Sequence, residues 1–299
     1  MIDFLDVTDD LLRQGAAQLS PRFRQAQIDF VLTQQADDGG FVGSAGPADL
    51  YYTDFAVRCL VMLDGPDLPL CQAGGWVERQ TPADLIHCFC ALNIRRLLRT
   101  RGVSLGALPR SSPTVPRERD YEPGPSLAVP GDRAYGVFLG LLIRQLRQEP
   151  PGDGVAAALT HLRRSDGGFA ESAGGRHGHT NATAAALASL WLTGQADAEA
   201  LGSALDFLAA RQTTDGGFCA HAGINSADLL STFTALLSLA MLGRTDVDLV
   251  GVARFLRQAA RPGGGFAATA DASAPVDVEY TWYGVGLACL LRQLSAISS

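Results

Sequence analysis

The chain has 299 residues and a formal net charge of −7, so it is long enough for a sizeable buried core and lacks the basic surplus of a nucleic-acid-binding protein. Hydrophobic residues make up 47% of it and charged residues 18%, which excludes an intrinsically disordered chain. All 24 cationic side chains are arginine, and the absence of lysine excludes Schiff-base catalysis and a Walker-type phosphate loop.

The first ten residues contain four acidic residues and no cationic one, so they do not resemble a signal peptide. The longest apolar run, residues 229–243, is too short to span a bilayer. Six cysteines in a chain of this length do not form the dense framework of a disulfide-rich secreted protein. We therefore predict a cytoplasmic protein with no transmembrane segment.

A short glycine-rich segment that ends in phenylalanine recurs along the chain. Its four clear copies occupy residues 37–41, 165–169, 214–218 and 262–266. The last two intervals between their phenylalanines are 49 and 48 residues. A weaker copy is predicted at Gly74-Gly75-Trp76, with room for a worn copy near Tyr121. These copies indicate a protein of six repeats.

Each repeat combines an amphipathic segment with an apolar one. Residues 204–212 and 252–258 place apolar side chains at three- and four-residue steps, which predicts helices with one buried face. Residues 182–192 and 229–242 are almost wholly apolar, which predicts helices buried on every side. Such alternation predicts two concentric layers. We expect a single all-α domain over residues 1–299, an (α/α)6 toroid of six helical hairpins, with an open solenoid as the alternative.

Residues 109–130 interrupt this pattern. Six prolines fall within these residues, and proline breaks the interior of a helix. We expect a long surface loop inserted in the third repeat rather than a boundary between domains.

One position recurs at the predicted start of each apolar helix, four residues before a threonine or its equivalent. It is occupied by Asp49, Asp84, Asp132, His179, Asp228 and Asp277. An aspartate there is expected to cap the helix by accepting backbone N–H bonds. The alternative is that these side chains meet at one rim of a central cavity and position a cation or a polar head group.

Histidine and aromatic residues supply further candidates. Arg176 and His179 are predicted either to contact a ligand at the rim or to lie in a solvent-exposed loop. His87, Cys88 and Cys90 fit a buried core better than a ligand cluster. Aromatic rings suit hydrocarbon chains and stabilise carbocations, with ordinary packing as the alternative. Those near the helix starts are Tyr51, Tyr52, Phe55, Phe89, Tyr135, Phe138, Trp191, Phe233, Tyr280, Trp282 and Tyr283.

The repeat resembles a known family. The phrases at residues 35–41 and 212–218, and the segments 226–233 and 275–282, are similar to the repeats of protein prenyltransferase β subunits and squalene-cyclase-type proteins. The resemblance covers roughly residues 20 to 294. It implies a toroid that binds an isoprenoid or isoprenoid diphosphate and works with a helical partner subunit; a homo-oligomer is the other option.

The same resemblance implies a catalytic zinc ion held by Asp, Cys and His. Asp277 matches the Asp, but Glu279 stands at the Cys position and no repeat follows to supply the His. In the other register Leu230 replaces the Cys and Tyr280 the His. The zinc ligands are therefore not matched. Asp277 and Glu279 are instead a candidate metal site for Mg²⁺, which prefers oxygen ligands.

If the chain is an enzyme, which the sequence leaves open, the resemblance implies transfer or ionisation of an isoprenoid diphosphate. Asp277, Glu279 and Asp228 are then the candidate catalytic residues. The candidate substrate-binding residues are Tyr52, His179, Arg176, Tyr280, Trp282 and Tyr283, and the candidate phosphate ligands are Arg58, Arg176 and Arg211. The alternatives are a non-catalytic binding module, or a terpene-cyclase-like enzyme that lacks the Asp-x-Asp-Asp acid.

Overall fold

The computed structural model describes residues 3–103, 133–152, 154–244 and 246–297. This part of the chain forms twelve helices and one two-stranded antiparallel sheet. The helices are α1 Phe4–Ala16, α2 Pro21–Thr33, α3 Leu50–Met62, α4 Asp67–Val77, α5 Leu85–Arg101, α6 Ala134–Leu146, α7 Val155–Thr160, α8 Thr180–Thr193, α9 Ala198–Ala209, α10 Leu229–Met241, α11 Leu249–Ala259 and α12 Val278–Ile297, and the strands are β1 Phe266–Ala267 and β2 Val276–Asp277. None of the helices described has the length and apolar character needed to cross a membrane.

Six helices form a closed inner ring. α3, α5, α6, α8, α10 and α12 contact one another in that order, and α12 returns to contact α3. α2, α4, α7, α9 and α11 pack outside the ring, each against two neighbouring inner helices. The predicted (α/α)6 toroid is confirmed, and an open solenoid is wrong because the last inner helix contacts the first.

The chain between α5 and α6, residues 104–132, lies outside the described residues. Three predictions fall on it: the proline-rich loop at 109–130, the worn repeat copy near Tyr121, and the rim position of Asp132. They stay predictions.

The glycine-rich turn between an outer and an inner helix depends on close backbone contact. Gly216 has a φ of +101°, in the left-handed region that favours glycine. A Cβ atom on Gly216 would lie 2.2 Å from the carbonyl oxygen of Gly251 in α11. The turns of the other clear copies contain glycines of the same conformation at Gly39, Gly167 and Gly264.

A buried phenylalanine ties each of these turns to the inner helix that follows. The backbone N–H of Phe218 donates to Oγ1 of Thr232 at 2.9 Å, and this hydroxyl donates to the carbonyl oxygen of Asp228 at 2.6 Å. The equivalent pairs are Phe41 with Thr53, Phe169 with Thr183 and Phe266 with Thr281. All four phenylalanines are at most 2% exposed, so each turn is anchored in the core.

The predicted weaker copy at Gly74-Gly75-Trp76 is wrong, because these residues lie within α4. A Cβ on Gly40 would lie 2.6 Å from the Trp76 ring, and Trp76 Nε1 donates to Asp38 Oδ2 at 3.0 Å. Trp76 is thus the outer-helix aromatic that covers the turn of the first repeat. The residues that cover Gly168 and Gly217 in the same way are Phe207 and Phe255.

α1 stands apart from the repeats and packs against the C-terminal halves of inner helices. A Cβ on Gly15 would lie 2.2 Å from the carbonyl oxygen of Cys289 in α12. Arg96 of α5 forms salt bridges with Asp6 at 3.0 Å and with Asp9 at 2.7 Å. The repeat pattern begins after this segment, so the spacing of residues predicts no element here.

Candidate ligand-binding cavity

The inner ring encloses a cavity of about 650 Å³. Pockets that bind small molecules in proteins span about 300–1,000 Å³. Its lining is mainly apolar, and its aromatic members are Phe4, Tyr51, Phe55, Phe89, Tyr135, Phe138, Trp191, Phe233, Trp282 and Tyr283. Nine of these rings belong to the eleven that the sequence placed near the helix starts. The cavity therefore has the size and surface to hold a hydrocarbon chain.

α1 supplies the floor of this cavity. Phe4, Leu5 and Thr8 belong to the lining. The ring of Phe4 meets Phe138 edge to face at 5.2 Å and Trp191 at 6.2 Å between centroids. The backbone N–H of Phe4 donates to Gln145 Oε1 at 3.3 Å. A segment outside the repeats thus limits how deep a ligand can reach.

Of the predicted substrate-binding aromatics, Trp282 and Tyr283 line the cavity and Tyr52 and Tyr280 do not. Tyr52 instead packs its ring over Gly43, where a Cβ would lie 2.3 Å from the ring. Tyr280 lies beside Tyr283, with 6.4 Å between ring centroids. The sequence could not separate these two pairs, because all four follow closely on a helix start.

The N-terminal ends of the inner helices form the rim of the cavity. Aspartates cap α3, α5, α10 and α12, as predicted: Asp49, Asp84, Asp228 and Asp277 each accept a hydrogen bond from a backbone N–H three residues on, at 2.7 to 2.9 Å. His179 stands at the same position of α8 without a side-chain cap. Capping leaves carboxylate oxygens for other partners, and Asp228 uses one for the hydroxyl of Ser231 at 2.8 Å.

Five of the predicted residues come together at one side of the rim. This rim cluster consists of Tyr52, Asp228, Asp277, Glu279 and Tyr280. Burial, together with the neighbouring charges of Glu279, Asp277 and Asp228, raises the pKa of Tyr280 to about 12. Burial likewise raises the pKa of Asp228 and of Asp277. The charge of Asp277 also raises the pKa of Glu279, so these two carboxyl groups are close enough to influence each other. A pair of carboxylates repels an anionic group unless a cation is bound with it.

Glu279 links the rim cluster to the cavity wall. Its Oε1 accepts a hydrogen bond from the hydroxyl of Tyr51 at 2.7 Å, and Tyr51 belongs to the cavity lining. Burial raises the pKa of Glu279 from 4.5 to about 7, although the Tyr51 hydrogen bond opposes the shift. This side chain can therefore hold or release a proton near neutral pH.

The residues of the rim do not fit the zinc site that the family implies. No cysteine or histidine joins Asp277 and Glu279, and across the described residues no group of three or more His, Cys, Asp or Glu side chains is arranged to hold a metal ion. A tetrahedral zinc site needs such a set of N and S ligands. Asp277 and Glu279 stay a prediction for Mg²⁺.

The segment of residues 176–179, which contains two histidines, lies next to the cavity but outside its lining. His179 Nδ1 is 3.8 Å from Oε1 of Glu171, which does belong to the lining. The His179 ring lies 4.9 Å from that of His221, a neighbour the sequence did not reveal. Arg176 is exposed. Farther round the ring, Cys88 and Cys90 are buried in α5, as the core interpretation predicts. That interpretation is wrong for His87, which is half-buried with its Nδ1 atom 3.3 Å from Oδ1 of Asp84.

The three arginines predicted to bind a phosphate are not brought together. Arg58 belongs to the cavity lining, whereas Arg176 and Arg211 do not. Arg211 lies over the ring of Phe207 in the outer layer, 4.8 Å from its centroid. The three arginines therefore do not form a joint site, and a phosphate contact by any one of them stays a prediction.

A polar network in the cavity wall escaped the sequence analysis, apart from Arg58. Arg58 forms a salt bridge of 2.6 Å with Asp54, which is 1% exposed. Asp54 Oδ1 also accepts a hydrogen bond from Asn93 Nδ2 at 2.7 Å, and Arg96 Nε donates to Asn93 Oδ1 at 3.1 Å. The signal was present in the sequence: charged residues four apart on one nearly apolar helix lie on a single face.

These features define a class of protein: an α/α toroid with an apolar central cavity. The chain belongs to the family described as the prenyltransferase alpha-alpha toroid domain, whose model matches residues 4–222 and 214–299. Comparison with curated protein sequences gives no match.

Two solved structures are similar to this chain. One is a protein from Actinoplanes, at 16% identity over 97% of this chain and 99% of that chain, with a TM-score of 0.50. The other is Candida albicans protein geranylgeranyltransferase-I complexed with GGPP, at 15% identity over 94% of this chain and 82% of that chain, with a TM-score of 0.41. At such identities the likeness to the Actinoplanes protein concerns the fold alone.

Proposed function

We propose that this chain binds an isoprenoid in its central cavity, with the head group toward the rim. The observation that supports this most directly is the cavity of about 650 Å³, whose lining includes residues of α1 and many aromatic rings. Burying apolar surface contributes about 25 cal/mol per Å², and an isoprenoid chain is apolar along its length. Membership in the prenyltransferase toroid family supports the same class of ligand.

A diphosphate head group would need a cation at the rim. The rim cluster contributes three carboxylates, Asp228, Asp277 and Glu279, and the candidate arginines lie apart. For that case we propose Mg²⁺ held by Asp277 and Glu279, because a hard cation prefers oxygen ligands and commonly bridges carboxylates to phosphates. Transfer or ionisation of the diphosphate would then follow at the rim, with Glu279 deprotonated because a carboxylate that ligates a cation has lost its proton.

Intrinsic fluorescence tests the binding proposal. Trp191 and Trp282 line the cavity and Trp76 does not. In the variant Trp76→Phe the tryptophan fluorescence therefore comes from the cavity alone. We expect saturable quenching, at one ligand per chain, by farnesol and geranylgeraniol, and by the corresponding diphosphates when Mg²⁺ is present. Quenching by none of these ligands contradicts the proposed function. Loss of diphosphate binding in Asp277→Asn with farnesol binding kept would support the metal role.

A terpene-cyclase-like reaction is the second candidate, favoured by the aromatic lining. The guanidinium of Arg58 lies 5.4 Å from the ring centroids of Phe55 and Phe89 and 5.6 Å from that of Trp282. These rings already interact with the Arg58 cation and would therefore stabilise a carbocation less. We accordingly rank isoprenoid binding or transfer above cyclisation. Incubation with farnesyl and geranylgeranyl diphosphate, followed by analysis of the extracted hydrocarbons, tests this ranking. A cyclic product would make the cyclase the first candidate.

Two further proposals concern the surroundings of the protein. We propose that it works in the cytoplasm, supported by six cysteines that are all free thiols. We also propose an assembly with a helical partner subunit or a second copy of the chain, by analogy with the family. Sedimentation of the purified chain tests the second copy, and co-purification from its own cells tests the partner subunit.

A further inference from the structure

The polar residues of the cavity wall form one connected set. This cavity-wall network consists of Asp9, Asp54, Arg58, Asn93 and Arg96, and all five belong to the lining of the cavity. It crosses from α3 to α5 and on to α1, through contacts of 2.6 to 3.1 Å. A hydrocarbon that filled the cavity would press against this network and offer it no hydrogen bond.

Arg58 has donors to spare. A guanidinium carries five N–H donors, and its salt bridge in this structure is with Asp54. The Nε atom is buried with no hydrogen-bond partner among the described residues. The side chain keeps 18% of its surface exposed, and that surface faces the cavity that Arg58 lines.

The charges of the network balance. Arg58 and Arg96 are matched by Asp54 and Asp9, and Asp6 at the protein surface adds a second contact to Arg96. A doubly charged group is not favoured next to such a balanced set. An uncharged acceptor is favoured, because burying an ion pair in an apolar cavity costs free energy that further hydrogen bonds recover.

We propose that Arg58 donates a hydrogen bond to an uncharged oxygen of the bound ligand, so that the cavity selects an oxygenated isoprenoid over the plain hydrocarbon. This inference rests on the proposed function and names its substrate class. The oxygen would lie below the rim, because Arg58 follows Tyr51 by seven residues on α3, a rise of about 10 Å along a helix. A ligand whose single oxygen reaches Arg58 therefore lies deeper in the cavity than one whose diphosphate is held at the rim.

Equilibrium titration with three C15 ligands tests the proposal in the Trp76→Phe background. The ligands are farnesene, nerolidol, and farnesyl diphosphate without Mg²⁺. We expect nerolidol, an isoprenoid alcohol, to bind at least tenfold more tightly than farnesene, since a hydrogen bond to a charged donor contributes that much. Farnesyl diphosphate is expected to bind no more tightly than nerolidol. This ligand series needs no change to the network.

The double substitution Arg58→Met with Asp54→Leu removes both charges, which is better tolerated than stranding one of them. We expect it to bind farnesene and nerolidol equally. The matched control is Arg95→Met with Glu78→Leu, which removes a salt bridge of 2.7 Å between α5 and the C-terminal end of α4, away from the cavity lining, and it should keep the preference.

The outcomes separate the two claims. Equal binding of farnesene and nerolidol by the parent chain overturns the role of Arg58 and leaves the proposed function standing. A preference for nerolidol that survives in the double variant has the same two consequences. Tighter binding of farnesyl diphosphate than of nerolidol overturns the uncharged oxygen. Binding of no C15 ligand overturns both the inference and the proposed function.

Discussion

The hydroxyl of Tyr51 donates to Oε1 of Glu279 at 2.7 Å across the junction where the last inner helix meets the first. Tyr51 begins α3 and Glu279 begins α12, so 228 positions of sequence separate two side chains that share one hydrogen bond. The bond joins a residue of the cavity lining to the rim cluster. It places a titratable carboxyl at the point where the ring closes.

The pKa of Glu279 makes the stability of the fold depend on pH. Burial raises this pKa from 4.5 to about 7, so the folded chain binds more protons than the unfolded chain between these values. The contribution of Glu279 to the free energy of unfolding therefore falls as the pH rises from 4.5 to about 7. Glu279→Gln still accepts the Tyr51 hydrogen bond and removes this dependence.

We expect the free energy of unfolding of Glu279→Gln, measured with urea, to equal that of the parent at pH 4. At pH 8 it should exceed that of the parent by about 1–3 kcal/mol. Asp228 and Asp277 are present in both chains, so the difference isolates Glu279. The control Glu199→Gln removes an exposed carboxyl of α9. A variant that is less stable than the parent at pH 8 would show that the charged form is the favoured one.

The hydroxyl of Thr232 accepts the backbone N–H of Phe218 in the core. Thr232→Val keeps the shape and leaves that N–H buried without an acceptor, which costs about 1–3 kcal/mol. Thr232→Ser keeps the hydroxyl, so its free energy of unfolding is expected to fall less than that of Thr232→Val. Chemical denaturation measures the free energy of unfolding of the parent and of both variants. A Thr232→Val variant as stable as the parent would show that this hydrogen bond does not stabilise the turn.

The turn at Gly216 cannot accept a side chain. Gly216→Ala places a Cβ 2.2 Å from the carbonyl oxygen of Gly251 at a φ of +101°, and a loss of more than about 2 kcal/mol is expected from strain and displaced backbone. Gly202→Ala is the control, because α9 has open space there and alanine favours a helix by up to about 1 kcal/mol. Thermal unfolding should move the two variants in opposite directions.

Phe4 limits the depth of the cavity. Phe4→Ala removes the ring that meets Phe138 and Trp191, and the floor should then accept a longer chain. We expect the affinity for geranylgeraniol to rise relative to that for farnesol, by fluorescence titration. Val7→Ala, on the same helix and outside the lining, should leave the ratio unchanged. An unchanged ratio in Phe4→Ala would place the end of the ligand elsewhere.

The sequence determined the repeat and therefore the ring. Glycines of positive φ, the phenylalanine after them and the aspartate that caps four of the inner helices are features of the repeat itself, and the spacing of residues already encodes their positions. The alternation of amphipathic and apolar helices then requires two layers. Local interactions of this kind can be predicted from residue type and period alone, which is why four of the six cap positions are confirmed.

Only the tertiary structure decided what faces the cavity. Trp76 follows two glycines in sequence yet belongs to an outer helix, because helix α4 packs it against Gly40. Phe4 became the floor through contacts with residues more than 130 positions away. Asp54, the partner of Arg58, accepts a hydrogen bond from Asn93 because two inner helices lie side by side. Such contacts depend on how whole helices are placed around the ring, and that placement is fixed by the closure of the toroid rather than by any single repeat.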